Sequence, residues 1–258
     1  MTALCLASYT FIMTDGYIEC NSVKIYYRRY GEFDGKPLIL LHGNGEDGGI
    51  FDAVAKRFAA DGFCAYTPDS RCHGKSEKGH LSYDNMAEDM AAFVRGILEA
   101  GRNVGEGHET SFALYGFSDG GIVALLLAMK YPGLLARIAV SGVNLTPSAL
   151  NRSFRLSVRL GYFFTRSPLL RLMLKEPNIN FSDLSRISAP TLVLAGEKDI
   201  IPASHTQAVA AAISSAECRI LKGETHASYV LDADKLHDVL KDFLRFGLKS
   251  ETESDKIF

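Results

Sequence analysis

The stretch FALYGFSDGG, residues 112–121, decides the fold class because it joins an apolar strand to a helix through a tight turn that carries a serine. Residues 112–116 predict a strand, and residues 119–130 predict a helix that is apolar on nearly every face. Gly116 and Gly120 flank Ser118 on either side, where a Cβ would clash in such a turn. G-x-S-x-G in this context predicts a nucleophile elbow, with the Ser118 hydroxyl above the carboxyl ends of the strands.

Outward from this turn, apolar runs alternate with helical patterns along the chain. Because strands that alternate with helices form parallel sheets, the sequence predicts an α/β fold with a mostly parallel sheet and helices on both faces. The predicted strands are 23–30, 37–42, 63–68, 112–116, 137–142, 191–196 and 217–221, and the predicted helices are 50–60, 82–100 and 119–130. A last helix is predicted from residues that share one face at helical spacing, namely Leu236, Val239, Leu240, Phe243 and Leu244.

Two segments depart from this alternation. Residues 144–184 show no strand pattern, and their prolines and aromatic residues predict two or three short helices inserted between strands of the sheet. Residues 1–15 are predicted to be a disordered extension, since a strand pattern begins only later and the first twelve residues lack the basic residues of a secretory signal. The predicted core is therefore 16–143 and 185–250, and either Met1 or Met13 is the start.

Composition excludes several classes of protein. The chain has 258 residues, 47% of them hydrophobic, and a formal net charge of −2, so no overall field favours nucleic acid. No apolar run reaches the roughly 18 residues of a membrane span, which predicts no stable membrane insertion. The five cysteines are odd in number and contain no C-x-x-C pair, so we expect reduced thiols, no metal site and a cytoplasmic location.

A serine nucleophile needs a base and an acid that orients the base. His226 lies in the loop between the last strand and the last helix, and Asp199 directly follows the strand 191–196. The order Ser118, Asp199, His226 is the order of the triad in α/β-hydrolases. The rival acids are Asp183 and Asp69, and the rival bases are His205, for which we expect a surface or capping role, and His237, for which we expect solvation.

A developing oxyanion also needs hydrogen-bond donors. The segment HGNG, residues 42–45, follows the strand 37–42, where such a loop is expected. The backbone N–H groups of Asn44 and Asp119 are therefore the predicted oxyanion hole. His42 itself is predicted to be structural.

The segments LLHGNG, DSRCHGKS, GFSDGG, LAGEKD and GETH together resemble those of α/β-hydrolase-fold serine hydrolases, from about residue 23 to residue 247. The resemblance implies an eight-stranded sheet with an early antiparallel strand and a helical lid, here residues 144–184. It also implies a structural role for the loop from Asp69 to Ser76, including His73, although Cys72 stands where the family usually has glycine. A serine at the elbow disfavours relatives that use an aspartate nucleophile, such as haloalkane dehalogenases and epoxide hydrolases.

These features predict hydrolysis of a carboxylic ester, or a similar acyl bond, of a small molecule, with no cofactor. The alternatives are hydrolysis of a C–C bond, perhydrolase or lyase chemistry, and a binding protein without activity. The resemblance does not fix the oligomeric state.

Three further features concern the substrate. Phe163 and Phe164 in the predicted lid are expected to line an apolar acyl pocket. Between residues 149 and 175 the predicted lid holds six cations and no acid. These cations form either a solvated outer face or a surface that attracts anionic substrates or lipids. Asp119 either interacts with the helix dipole or, because residues 116–132 resemble the elbow of biphenyl-hydrolase-like amino-acid ester hydrolases, receives a substrate ammonium group.

Overall fold

The computed structural model describes residues 13–102 and 112–245, in which the strands form one eight-stranded sheet of order β1-β2-β4-β3-β5-β6-β7-β8. β1 pairs antiparallel with β2 and β2 antiparallel with β4, whereas all other neighbours are parallel. The strands are β1 (Met13–Cys20), β2 (Val23–Tyr30), β3 (Lys36–Leu41), β4 (Phe63–Pro68), β5 (Phe112–Phe117), β6 (Leu135–Ser141), β7 (Thr191–Lys198) and β8 (Ala216–Thr225).

Helices cover both faces of the sheet and bury two separate apolar layers. Alternate side chains of a strand point to opposite faces, so Ile39 and Leu41 of β3 join one layer, with α2, α3 and α6. Leu38 and Leu40 join the other layer, with α1 and α7. The helices are α1 (Asp52–Ala60), α2 (Tyr83–Arg102), α3 (Asp119–Lys130), α4 (Arg152–Thr165), α5 (Pro168–Lys175), α6 (Ala203–Ala211) and α7 (Ala233–Leu244).

The strand β1 corrects the predicted extent of the N-terminal extension. Residues 13–15 belong to the sheet, with Met13 paired to Tyr30, while residues 1–12 lie outside the described part of the chain. Sequence reasoning missed the strand because it is an edge strand whose residues stay largely exposed apart from Cys20, so it lacks a clear apolar alternation. The two-residue turn Asn21–Ser22, with φ of 46° and 64°, joins it to β2.

The segment between β6 and β7 carries the helices α4 and α5 and two short 3-10 turns, Pro147–Ala149 and Phe181–Arg186. The side chain of Asn151 caps α4 by accepting a hydrogen bond from the N–H of Phe154, and Pro168 occupies the first turn of α5. This helical segment corresponds to the insertion predicted over 144–184. Within residues 13–102 and 112–245, no helix combines the length and apolar content that crossing a bilayer requires.

Candidate active site

Four loops meet at the carboxyl edge of the parallel strands. Ser118 follows β5, Asp199 follows β7, His226 follows β8, and Asn44 lies in the loop after β3. Because β3, β5, β6, β7 and β8 are consecutive parallel neighbours, their carboxyl ends lie at one edge of the sheet. The sheet therefore brings together residues that are up to 182 positions apart in the sequence.

Ser118 sits in a strained turn between β5 and α3. Its φ of 52° and ψ of −114° are rare for a residue with a side chain, and such strain costs about 1–3 kcal/mol. The surrounding contacts hold this geometry, since its N–H donates to the carbonyl of Ser141 at 2.8 Å. A Cβ on Gly116 would lie 2.3 Å from the carbonyl oxygen of Gly120, and a Cβ on Gly120 would lie 2.2 Å from that of Leu41. Both flanking glycines are therefore required by close backbone contacts, as predicted.

A chain of hydrogen bonds links the serine, the histidine and the acid. His226 Nε2 lies 3.2 Å from Ser118 Oγ, and His226 Nδ1 lies 2.7 Å from Asp199 Oδ1. The Asp199 side chain is fully buried, and the same oxygen accepts the N–H of Ile201 at 3.1 Å. An ionised carboxylate only accepts hydrogen bonds, so Nδ1 carries the hydrogen and Nε2 is left to accept the serine proton.

Two glycines make room for this arrangement. The pairing of β7 with β8 is irregular between Gly196 and Lys198, and a Cβ on Gly196 would lie 2.4 Å from two carbonyl oxygens of β8. After this irregularity Lys198 pairs with Thr225, which places the next residues, Asp199 and His226, side by side. Gly142, at the end of β6, has a φ of 61°, and a Cβ there would lie 2.6 Å from His226 Cε1.

The rival residues lie elsewhere. Asp183 lies in the 3-10 turn Phe181–Arg186, where it accepts a hydrogen bond from the side chain of Asn180. His205 uses Nε2 to accept the N–H of Leu145 at 3.2 Å. Across the described part of the chain, no three His, Cys, Asp or Glu side chains are grouped as metal ligands would be.

The prediction for His237 was wrong. Its ring packs on Phe58 with centroids 4.9 Å apart, and its Nε2 lies 3.0 Å from Asp61 Oδ2. The side chain is only 15% exposed, because α7 packs against α1 along this face as well as along its apolar stripe.

The loop from Asp69 to Ser76 supports the edge of the site through main-chain hydrogen bonds. Asp69 accepts the N–H groups of Gly48 and Lys75 at 2.9 and 2.8 Å. His42 is fully buried and accepts the N–H of Ser70 at 2.9 Å. Burial, with a smaller effect of His73, lowers the pKa of His42 to about 4, so its imidazole is neutral and structural.

Cys72 keeps the backbone shape that glycine would give. Its φ is 65°, in the left-handed region that a residue with a side chain seldom adopts. Its thiol donates to the carbonyl of Gly79 at 3.3 Å and accepts the N–H of Gly79 at 3.4 Å. The thiol thus ties Cys72 to Gly79 within a backbone conformation that glycine adopts without strain.

Asn44 and Asp119 are joined across the mouth of the site. The Asn44 side chain donates to Asp119 Oδ2 at 2.8 Å, and Glu46 holds the same loop by accepting the N–H of Gly43 at 2.9 Å. Asp119 is the first residue of α3, so its own N–H has no acceptor within the helix. The two residues predicted to form the oxyanion hole are thus hydrogen-bonded to each other through their side chains, and Asp119 directly follows Ser118 in the sequence.

The Asp119 carboxyl group is buried, with the residue only 3% exposed. Its second oxygen accepts the hydroxyl of Tyr83 at 2.8 Å. Burial raises the pKa of Asp119, while the hydrogen bonds from Asn44 and Tyr83 oppose that rise. Sequence reasoning missed Tyr83, which reaches the site from the start of α2 and carries no motif that would have indicated it.

The cavity beside Ser118 is small and differs from the predicted pocket. Its volume is about 10 Å³, room for about one water molecule. The segment between β6 and β7 contributes Leu150 before α4, and Met173 and Glu176 from α5 and the residue after it. The remaining lining residues are Tyr83, Ser118, Asp119, Asn144, Ile200, Ile201 and His226.

Phe163 and Phe164 do not line this cavity, which corrects the prediction made for them. They are 63% and 78% exposed, because they lie at the end of α4, which buries only Val158. The helix α5 faces the cavity in their place. Sequence reasoning could not separate the two helices, since both are apolar and both are predicted within the insertion.

The fold and these side chains define a hydrolase of the α/β-hydrolase class. A family model described as "Serine aminopeptidase, S33" matches residues 36–186, more than half of the chain. The chain belongs to this family. The match spans β3 with the Asn44 loop, the elbow, and the helices α4 and α5.

Comparison with known proteins shows what this chain is similar to. The human protein "Serine hydrolase BPHL" is 24% identical over 272 residues, covering 93% of this chain and 89% of the relative. The zebrafish protein "sn-1-specific diacylglycerol lipase ABHD11" is 36% identical over 125 residues, 46% of this chain and 36% of the relative. The structure titled "Esterase (EaEST) from Exiguobacterium antarcticum" superposes with a TM-score of 0.73 at 18% identity, covering 88% of this chain and 98% of that one.

Proposed function

We propose that this protein hydrolyses a carboxylic ester, or a similar acyl bond, of a small molecule through Ser118, His226 and Asp199. The observation that carries the proposal is the continuous hydrogen-bond chain, with 3.2 Å from serine to histidine and 2.7 Å from histidine to aspartate. Such a chain activates a hydroxyl that is otherwise a weak nucleophile.

In the first half of the reaction, Ser118 Oγ attacks the substrate carbonyl carbon while His226 Nε2 takes its proton. Asp199 holds the imidazole tautomer and stabilises the imidazolium. The backbone N–H groups of Asn44 and Asp119 donate to the oxyanion of the tetrahedral intermediate. When the intermediate collapses, His226 gives the proton to the leaving alkoxide, and the acyl group remains on Ser118.

In the second half, His226 takes a proton from water, and the resulting hydroxide attacks the acyl-enzyme. Collapse of the second tetrahedral intermediate releases the carboxylic acid and returns the proton to Ser118. An ester is the default substrate because its leaving group needs less assistance than an amine or a carbanion. Cleavage of a C–C bond and perhydrolase chemistry use the same groups, while a binding protein without activity would not need this aligned chain.

The segment 144–184 acts as a lid in this proposal. A cavity of about 10 Å³ does not admit an ester substrate, so the residues that close it have to move. The helix α5 is the element we expect to move, since Met173 lies on it and Glu176 directly follows it.

A narrower substrate class follows from the carboxylates at this cavity. Asp119 and Glu176 both line it beside Ser118, and no Lys or Arg is among the described residues that line it. We propose that an α-amino group next to the scissile carbonyl binds between them, which favours aminoacyl esters over their des-amino analogues.

The substrate class is tested with a matched pair of esters, a phenylalanine ester and its phenylpropionate counterpart. The ratio of their kcat/KM values is expected to be at least about tenfold in favour of the amino ester, about 1.4 kcal/mol. The ratio should fall toward one in Asp119→Asn and in Glu176→Gln. Equal kcat/KM values for the two esters in the wild type would contradict the role of Asp119 as an ammonium partner. The protein would then be proposed as a general carboxylesterase.

The reaction itself is tested by Ser118→Ala with p-nitrophenyl acetate and butyrate. We expect a loss of about 10³-fold or more in kcat, with an unchanged circular dichroism spectrum, because the triad acts as a unit. Ser157→Ala, on the exposed side of α4, is the matched control and should keep the wild-type rate. Near-normal turnover by Ser118→Ala would overturn the proposal.

A cytoplasmic location remains the prediction for this enzyme. It is supported by the cysteines of the described part of the chain, Cys20, Cys64, Cys72 and Cys218, all of which are free thiols.

A further inference from the structure

The helix α4 exposes a row of large apolar side chains. Leu156, Leu160, Phe163 and Phe164 are 57%, 53%, 63% and 78% exposed, and their spacing of four, then three and four residues puts them along one side of the helix. Four of the eight large apolar side chains that are exposed in the described residues are therefore on this one helix. Clustering of this kind on a water-soluble surface indicates an interaction site.

The same helix is strongly cationic. It carries Arg152, Arg155 and Arg159, and Arg166 follows it directly, while residues 149–175 contain six cations and no acid. None of those six cations forms an ion pair with another described residue. Arg166 instead lies over the rings of Tyr162 and Phe163, at 5.6 and 5.5 Å from their centroids. This positive charge is local, because the whole chain has a net charge of −2.

The helix α4 is anchored by one buried side chain, by α5 and by a cap at its first turn. Val158 is its one buried residue, and a Cβ on Gly161 would lie 3.0 Å from Leu170 Cδ1 of α5, so the two helices approach closely there. The side chain of Asn151 caps its first turn. The outer side of α4 thus belongs to a folded pair of helices and not to a loose end.

We infer that α4 docks the protein on an anionic lipid surface. A helix with arginines beside a row of Phe and Leu side chains lies in the plane of the interface, with its apolar row among the acyl chains and its cations at the headgroups. The charge of α4 favours an anionic lipid surface over a second copy of the chain as its partner. Two copies packed through α4 would bring arginines together without an acid to balance them, whereas anionic headgroups neutralise them.

Docking through α4 would bring the active site to the lipid surface. Leu150, directly before the Asn151 cap, lines the cavity beside Ser118, as do Met173 and Glu176 of the α5 region. An amphiphilic ester dissolved in the lipid could then reach the lid without crossing water. The docking itself does not depend on the reaction proposed for Ser118, so its test needs no activity measurement.

The test is cosedimentation of the full chain with phosphatidylcholine vesicles that either contain or lack phosphatidylglycerol. We expect binding to the anionic vesicles that weakens at high salt, because salt screens the arginines from the headgroups. The double variant Phe163→Ser, Phe164→Ser should bind at least about tenfold more weakly. Arg152→Gln with Arg159→Gln should also weaken binding and should remove most of its dependence on salt.

Two matched controls distinguish binding through α4 from nonspecific binding through any exposed apolar side chain or cation. Leu231→Ser removes an apolar side chain that is 65% exposed elsewhere on the surface, and Lys56→Gln with Lys222→Gln removes two exposed cations elsewhere. Both controls should bind like the wild type. The inference is overturned if the wild type does not bind anionic vesicles at low salt, or if the controls lose as much binding as the α4 variants. It is also overturned if light scattering shows a dimer that only the Phe163, Phe164 double variant dissociates, while the vesicles bind nothing.

Discussion

Replacing Gly142 by alanine should disable the enzyme while leaving it folded, because this glycine borders the histidine. The added Cβ would lie 2.6 Å from His226 Cε1 and 2.9 Å from His226 Nδ1, where ordinary contact begins at 3.4 Å. The backbone cannot yield easily, since the N–H of Gly142 donates to the carbonyl of Leu194 at 3.0 Å. His226 therefore has to shift by about 1 Å, and a misplacement of that size costs about 10²-fold in rate.

The same substitution has a separate effect on stability. Gly142 has a φ of 61°, and a residue with a Cβ costs about 1–2 kcal/mol in that region. Gly133, in the turn before β6, provides the matched control, because its φ is 89° and nothing lies within 4 Å of a Cβ placed there. Gly133→Ala should lose a similar amount of stability and none of the rate.

The assay measures kcat/KM on p-nitrophenyl acetate together with urea unfolding for both variants. We expect a fall of about 10²-fold in kcat/KM for Gly142→Ala and an unchanged value for Gly133→Ala. A Gly142→Ala enzyme with the wild-type rate would refute the account of how His226 is positioned. Equal rate losses in both variants would show that backbone strain, and not the contact with His226, is the cause.

Three further predictions concern the acid, the cavity and the buried histidine. Asp199→Asn should lower kcat by about 10²-fold or more, because the amide no longer fixes the imidazole tautomer, whereas Asp183→Asn should keep the wild-type rate. The reverse result would make Asp183, and not Asp199, the acid of the triad. Met173→Ala should change the relative rates on esters of different chain length, and Phe163→Ala should not; a uniform change would contradict the cavity assignment. The pKa of His42, about 4, lies below the 6.5 of an exposed imidazole. The contribution of His42 to the free energy of unfolding is therefore fully present above about pH 6.5 and is lost as the pH falls toward 4. Urea unfolding should therefore show the wild type losing up to about 3 kcal/mol more than His42→Asn over that range; parallel curves would contradict this.

The alternation of strands and helices predicted most of the sheet, because buried parallel strands are continuous apolar runs. The edge strand β1 has no such run, and its pairing with β2 is fixed by the turn at Asn21–Ser22. The prediction that His237 is solvated was wrong because the neighbouring helix α1, and not solvent, covers that side of α7.

The residues proposed as a triad could be predicted because each occupies a fixed place at the end of a strand. Tyr83 and Glu176 could not, since they reach Asp119 and Ser118 through packing of α2 and α5 and carry no local motif. The orientation of Phe163 likewise depends on which helix of the insertion faces the sheet. Composition identified the aromatic and basic residues of this insertion, but only tertiary packing decided which of them are exposed.

The central claim, that Ser118 is the nucleophile, is tested most directly by labelling with a fluorophosphonate probe and mapping the modified peptide by mass spectrometry. The account predicts a single adduct on Ser118, formed quickly by the wild type, slowly by a His226→Ala variant and not at all by Ser118→Ala. Pre-incubation with an ester substrate should slow the labelling. A wild-type enzyme that hydrolyses the ester yet carries no adduct, or carries its adduct on another residue, would contradict the claim.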